Sequence, residues 1–195
     1  IVETPKQMFV RVSKAVSKGD KKKEKAYFEM MSCLDFLPNS PTLMNAGTEL
    51  GQLSGCFVLP VEDSIESIFN AVKEMAIIQQ SGGGTGFSFS KLRPKNDIVR
   101  STKGVASGPV SFMEVFDKTT DVIKQGGKRR GANMGVLNYN HPDILRFIDA
   151  KKENYNGGIE SKFQNFNLSV GIDSKFMNAV KNNTSVELIN PRTKK

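Results

Sequence analysis

The sequence contains no tryptophan, one histidine and two cysteines in 195 residues. Two cysteines cannot build the disulfide framework of a secreted domain, so a reducing, cytoplasmic setting is expected. One histidine beside two cysteines leaves no structural zinc site. No Ser-His-Asp or Cys-His arrangement assembles around His141 either; it stands next to Pro142 at a helix start and reads as a capping residue. Apolar runs are only a few residues long, which excludes a membrane-spanning helix. The opening IVETPKQMF has no apolar core of a signal peptide. Internal repeats, low-complexity segments and clear linkers are missing too. The chain begins without Met and stops in NPRTKK, so both ends read as cut.

Positive charge is plentiful: 28 Lys and Arg against 20 Asp and Glu, a formal net charge of +8. This balance favours anionic partners such as nucleotides, phosphates or nucleic acid. The run Asp20–Lys25 mixes signs and reads as a solvated helix start. Lys124-Gln-Gly-Gly-Lys-Arg-Arg-Gly131 instead sets four cations among glycines. Such a loop can hold a polyphosphate and change shape. A solvated basic turn and a nucleic-acid surface are the rival readings. No aromatic residues interleave with the cluster, which speaks against direct nucleic-acid binding.

Thr4-Pro5 predicts a helix start, followed by Met8, Val12, Ala15 and Val16 at helical spacing. A second helix has Ala26, Met30, Cys33 and Leu34 on one face, making Cys33 an expected buried filler. Pro38 and Pro41 break that helix. Cys56-Phe-Val-Leu predicts a short buried strand. Asp63-Ser-Ile-Glu66 predicts a capping box, opening a helix with Ile65, Ile68, Phe69, Val72 and Ala76 inward. Phe87-Ser-Phe-Ser90 alternates as a strand, and 97–108 reads as a polar loop. Pro109 opens a helix facing inward through Phe112, Phe116, Thr119 and Ile123. A strand over 132–137, a helix holding Ile144, Leu145 and Ile148, a strand from Phe166 to Ile172 and a helix capped by Asp173 complete the order. Strands alternating with helices after a helical start imply an α/β fold with parallel strands.

Residues 82–86 crowd four glycines into five positions but lack a P-loop lysine and G-x-G-x-x-G spacing. They serve either a helix-ending turn or a close backbone approach. Cys56 opens an apolar run after a small, polar stretch, and is a filler or a reacting thiol on spacing alone.

Taken together, SPTLMNAGT, GCFVLPVEDSIESIF, SGGGTGFSFSKLRP, ASGPVSFMEVFD, VIKQGGKRRGANMG and HPDILRFI are specific. Six motifs in register resemble the catalytic (large) subunit of ribonucleotide reductases, closest to the adenosylcobalamin-dependent class II branch. The resemblance runs from about Pro5 to Arg192. It implies an N-terminal helical segment over 1–37. Residues 38–195 would be most of the first half of a ten-stranded α/β barrel. It also implies a ribonucleoside-diphosphate reductase, removing the ribose 2′-hydroxyl by thiyl-radical chemistry.

By the same resemblance, Cys56 is the first cysteine of the redox pair, and Thr42, Gly55, Cys56 and Gly84 contact the substrate nucleotide. Several members carry Ser or Ala where Gly55 stands, so only a backbone contact would carry over there. Asp63 would hold the ribose of an allosteric deoxynucleoside triphosphate and Arg93 its phosphates. Lys124, Gln125 and Arg129 would lie in the loop passing effector identity to substrate choice. A homodimer and a thioredoxin- or glutaredoxin-type reductant are the implied partners. The 195 residues lack the family's N-x-C-x-E thiyl motif, the second cysteine of the pair and the C-terminal cysteine pair. Alone, the chain is therefore not expected to turn over. The alternative reading is an inactive nucleotide-binding or regulatory module.

Overall fold

A computed structural model describes residues 2–99, 103–123, 131–152 and 163–195. The chain divides into two compact units. One comprises Ile1–Cys56 with Ser81–Gly83, the other Phe57–Gln80 with Gly84–Lys195.

The first unit is helical: α1 (Pro5–Val16), α2 (Lys21–Ser32) and the short α3 (Ser40–Asn45). Thr4 caps α1 in a reciprocal box with Gln7, and the Asp20 carboxylate takes the free amides of Lys22 and Lys23 at the start of α2. Val12, Met31 and Ala46 form a small core, flanked by Met8, Phe9, Val16, Tyr27 and Leu43. Arg11 reaches from α1 to the carbonyls of Leu43 and Ala46, and its Nε donates to Glu3 at 3.0 Å. That hydrogen bond holds the Glu3 carboxyl below its usual range. The second helix turns a different face inward from the one expected. Met31 is buried, whereas Leu34 and Cys33 are exposed. The helix stops at Ser32, so Cys33 is its C-cap and Leu34 adopts φ 62°, carrying both away from the helical face.

The second unit holds an α/β sheet in the order β1-β2-β3-β4, from Cys56–Leu59 (all but its first residue in this unit), Gly84–Ser88, Asn133–Asn138 and Phe166–Gly171. The β2/β3 and β3/β4 pairs are parallel, with Thr85 opposite Asn133 and Asn133 opposite Phe166. Helices α4 (Ile65–Gln80), α5 (Pro109–Val122), α6 (Ile144–Ile148) and α7 (Ser174–Asn182) connect and follow the strands. The α/β class and parallel pairing agree with the sequence. Phe87 and Phe89 of β2 and its exit, Phe116 of α5 and Met75 of α4 centre the core.

Several local expectations change. β1 is not a buried strand: it alternates exposed and half-buried residues, with Val58 87% exposed, because it stands last in the sheet order. The buried stripe of α4 is Ile68, Ala71, Met75 and Gln79, leaving Ile65 and Phe69 exposed. In α5 it is Val110, Met113, Phe116 and Thr120, and in α6 Ile144 and Phe147 rather than Leu145 and Ile148. Apolar residues on more than one face of these helices leave the spacing ambiguous. The predicted strand at Phe87–Ser90 also starts earlier, at Gly84, so only Gly82, at φ +91°, serves the turn that needs glycine.

Candidate functional site

Asp63 closes the turn between β1 and α4, and Arg93 lies beyond the end of β2. Both follow the carboxyl ends of strands, where α/β sheets gather ligands. Arg93 Nε donates to Asp63 Oδ2 at 2.8 Å and Oδ1 at 3.1 Å, and its backbone amide donates to Oδ1 at 3.1 Å. The Asp63 carboxylate is thus committed, and the expected D-x-x-E box does not form. Ser64 replaces it, accepting from the Ser67 amide at 3.1 Å. The side chains of the ion pair are 26% and 23% exposed.

The pair forms one wall of a cleft of about 490 Å³, completed by Ile65, Ile68, Val99, Val105, Ser107, Gly108 and Phe112. Its far wall comes from the segment expected as a loop, in which residues 97–99 pair antiparallel with 104–106 as the two arms of a hairpin. Val99 donates to Gly104 O at 2.8 Å and Ala106 to Asp97 O at 2.8 Å, with Ile98 bridged to Val105. Gly108 (φ +81°) is needed where the hairpin returns: a Cβ there would lie 2.5 Å from Asp143 Oδ2 and 2.8 Å from Lys95 N. Asp143 Oδ2 itself accepts from Lys95 N at 2.8 Å.

The base of the hairpin is tied to the end of the chain. Arg192 Nε and Asn190 Nδ2 donate to Asp97 Oδ2 at 2.9 and 3.1 Å. The Arg192 guanidinium holds the Asp97 carboxyl far below its usual range, aided by Asn190 and the Ile98 amide. A depressed carboxyl stabilises the fold fully above its unfolded value, about 3.9, and less as pH falls toward the folded one. Arg192→Ala is therefore expected to destabilise at neutral pH and to lose less stability than the parent below about pH 4. Urea unfolding at stepped pH reads this; parallel losses in both proteins would contradict it. Sequence reasoning missed this tie, whose partners stand 95 positions apart.

A second cleft, of about 560 Å³, shares Asp63 and is lined by Lys91, Asn138, His141, Arg192 and Lys194, among others. His141 is a structural residue, as its sequence context predicts. Its Nε2–H points to Leu92 O at 2.8 Å and its Nδ1 accepts from the Asp143 amide at 3.0 Å. Burial pushes its pKa down, against the opposing pull of the Leu92 carbonyl and Asp143.

Thr42, Gly55 and Cys56 lie in the first unit, and Gly84 opens β2 in the second. Asn39 caps α3 by accepting from the Thr42 amide at 2.9 Å, and the Thr42 hydroxyl donates to Leu53 O at 3.0 Å. This ties Thr42 to the segment that leads into Gly55 and Cys56. Cys56 is exposed and free, at the first position of β1. Lys124, Gln125 and Arg129 lie outside the described residues. Among the described residues, no group of three or more His, Cys, Asp or Glu side chains can hold a metal ion, and no helix is long and apolar enough to cross a membrane.

Residues 54–195 match the family model of the ribonucleotide reductase barrel domain, and residues 1–51 that of the ribonucleotide reductase all-alpha domain. The chain is 68% identical over 168 residues to a vitamin B12-dependent ribonucleoside-diphosphate reductase of Thermoplasma acidophilum, covering 86% of this chain and 21% of that protein. A protein of the same description from Mycobacterium tuberculosis is 54% identical over 162 residues, covering 83% and 23%. The ribonucleoside-diphosphate reductase large subunit of Arabidopsis thaliana is 35% identical over 193 residues, covering 98% and 23%. The chain thus spans between a fifth and a quarter of the length of these relatives.

Proposed function

Because this chain belongs to the ribonucleotide reductase large-subunit family, we propose that it is part of a cytoplasmic ribonucleoside-diphosphate reductase making deoxyribonucleotides. In this reading it carries one cysteine of the redox pair, Cys56, and a site for a deoxynucleoside triphosphate effector. The observation that supports the effector site best is the Asp63–Arg93 pair facing the hairpin-walled cleft. The pair is partly exposed, so separating it costs little, about 0–1 kcal/mol, and a triphosphate offers Arg93 more negative charge than one carboxylate does. A triphosphate can therefore take Arg93 from its partner, freeing Asp63 to accept from a ribose hydroxyl.

Thr42, Gly55, Cys56 and Gly84 are the proposed substrate contacts, with Lys124, Gln125 and Arg129 reading the effector. The outward residues of α4, Ile65, Phe69 and Ile77, are exposed and apolar, which supports a homodimer. A thioredoxin- or glutaredoxin-type protein would return electrons to the pair through parts of the enzyme beyond these residues. Adenosylcobalamin is the proposed cofactor, on the strength of the vitamin B12-dependent relatives. Among the described residues, His141 has both ring nitrogens engaged and is not free to bind the cobalt. The cobalamin contacts are therefore assigned to other parts of the enzyme.

The test is thermal protection. dATP or dTTP should raise the unfolding midpoint at concentrations where inorganic triphosphate does not. Arg93→Ala and Asp63→Ala should each weaken that protection by about tenfold in apparent affinity, the equivalent of one charge-assisted hydrogen bond. Equal protection by triphosphate, or undiminished protection in both variants, would remove the site.

A further inference from the structure

The core of the second unit contains a polar knot that the proposed function does not use. Gln79, Thr85, Thr120 and Asn133 are 0%, 4%, 4% and 2% exposed. Asn133 is its hub. Its Oδ1 accepts from Gln79 Nε2 at 2.8 Å and from Thr85 Oγ1 at 2.7 Å, and its Nδ2 donates to Thr120 Oγ1 at 2.8 Å. The Thr120 hydroxyl in turn donates to Phe116 O at 2.9 Å. Gln79 Oε1 is buried without a partner among the described residues.

Stability alone does not call for this knot. Gln79 continues the apolar stripe Ile68, Ala71, Met75 of α4, and an apolar side chain there would leave no orphaned oxygen. What hydrogen bonds add to an apolar core is direction, since they are satisfied in one register only. The placement shows which register is held. Gln79 stands in the last turn of α4, Thr85 is the second residue of β2, Thr120 stands in the last turn of α5, and Asn133 opens β3. The backbone reinforces the same points: Thr85 N donates to Ala132 O at 3.1 Å and Asn133 N to Asn165 O at 2.7 Å. One buried cluster thus joins the stems of two glycine-bearing connections, the one entering β2 at Gly84 and the one between α5 and β3.

We propose that Gln79, Thr85, Thr120 and Asn133 are positioning residues for substrate selectivity. They hold the strand entry at Gly84 and the two stems flanking residues 124–130 in a single mutual register. This rests on the reading of Gly84 as a substrate contact and of Lys124, Gln125 and Arg129 as effector readers. Coupling between the two positions then depends on a shared rigid anchor, because a displacement of one stem is transmitted to the other.

The experiment uses the full-length reductase. Thr120→Val keeps shape and removes the acceptor of Asn133; Thr120→Ser restores the hydroxyl. Amide hydrogen exchange is read at 84–86 and 131–133, with 144–148 as reference. The effector-driven change in kcat/KM ratio between two ribonucleotides is read with two deoxynucleoside triphosphates. Thr120→Val should lose about tenfold in protection at the stems but not at the reference, and at least about threefold of the effector-driven change in ratio. Thr120→Ser should resemble the parent. Should Thr120→Val fail to fold, Gln79→Met carries the same expectations. Unchanged stem protection overturns the proposal; lost protection with selectivity intact reduces the knot to a structural role and overturns it equally. A parent enzyme with no effector-driven change in ratio would instead overturn the effector reading, leaving exchange to decide whether the stems are held.

Discussion

Replacing Cys56 with serine in the full-length reductase is expected to stop multiple turnover, lowering kcat on the order of 10³-fold or more, the scale of losing an essential reacting group. Each ribose reduction takes two electrons, which a dithiol supplies by closing to a disulfide and releasing two protons. Serine matches the shape but cannot form the bond. Stability should barely move, because Cys56 is exposed, and such substitutions fall within about 0.5 kcal/mol. Cys33→Ser is the matched control. That thiol is equally free and exposed, so accessibility does not separate the two, and only the assigned chemistry does. Turnover near the parent rate in Cys56→Ser, or an equal loss in Cys33→Ser, would remove Cys56 from the redox pair.

Local chemistry was readable along the chain. Thr4 and Asp173 cap helices where their spacing places them, because a cap needs only an acceptor and an amide two or three residues on. Alternation exposed β2 and β4, and their order implied parallel pairing. Facing was harder. α4 carries Ile65, Phe69 and Ile77 on one side and Ile68, Ala71 and Met75 on another, and only the sheet decides which is buried. Asp63 shows the same limit: its sequence context offers a helix cap, but Arg93, 30 positions away, takes the carboxylate. The knot around Asn133 was beyond local reading, since its Gln79 partner lies 54 positions off. One signal was available, as Gln79 falls four residues after Met75 on the stripe that proves buried. For the candidate site, family motifs supplied Asp63 and Arg93. The hairpin wall, the Asp97–Arg192 tie and the close approach at Gly108 all depend on long-range contact.

Truncating Phe116 to alanine should cost about 3–5 kcal/mol of stability, at the top of the range for a single core substitution. The ring is fully buried and meets Phe87 edge-on with centroids 4.7 Å apart and Phe89 at 5.5 Å. It therefore fastens α5 to both inward side chains at the end of β2. Removing it deletes the burial term, two aromatic contacts and the filling of a site whose rigid neighbours cannot collapse inward. At roughly 2–4 °C per kcal/mol for a chain of this size, the thermal midpoint should fall by roughly 6–20 °C. Neighbouring variants test which face of α5 is buried. Met113 is 0% exposed, so Met113→Ala should cost about 2–5 kcal/mol. Thr119, on the face that helical spacing alone suggested, spends its hydroxyl on the Val115 carbonyl at 2.7 Å. A hydroxyl returned to its own helix contributes little to packing, so Thr119→Ala should stay within about 0.5 kcal/mol. A larger loss in Thr119→Ala than in Met113→Ala would mean that α5 packs on the sheet through the opposite set of residues. The anchor at Thr120, one turn beyond Phe116, would then be lost with it.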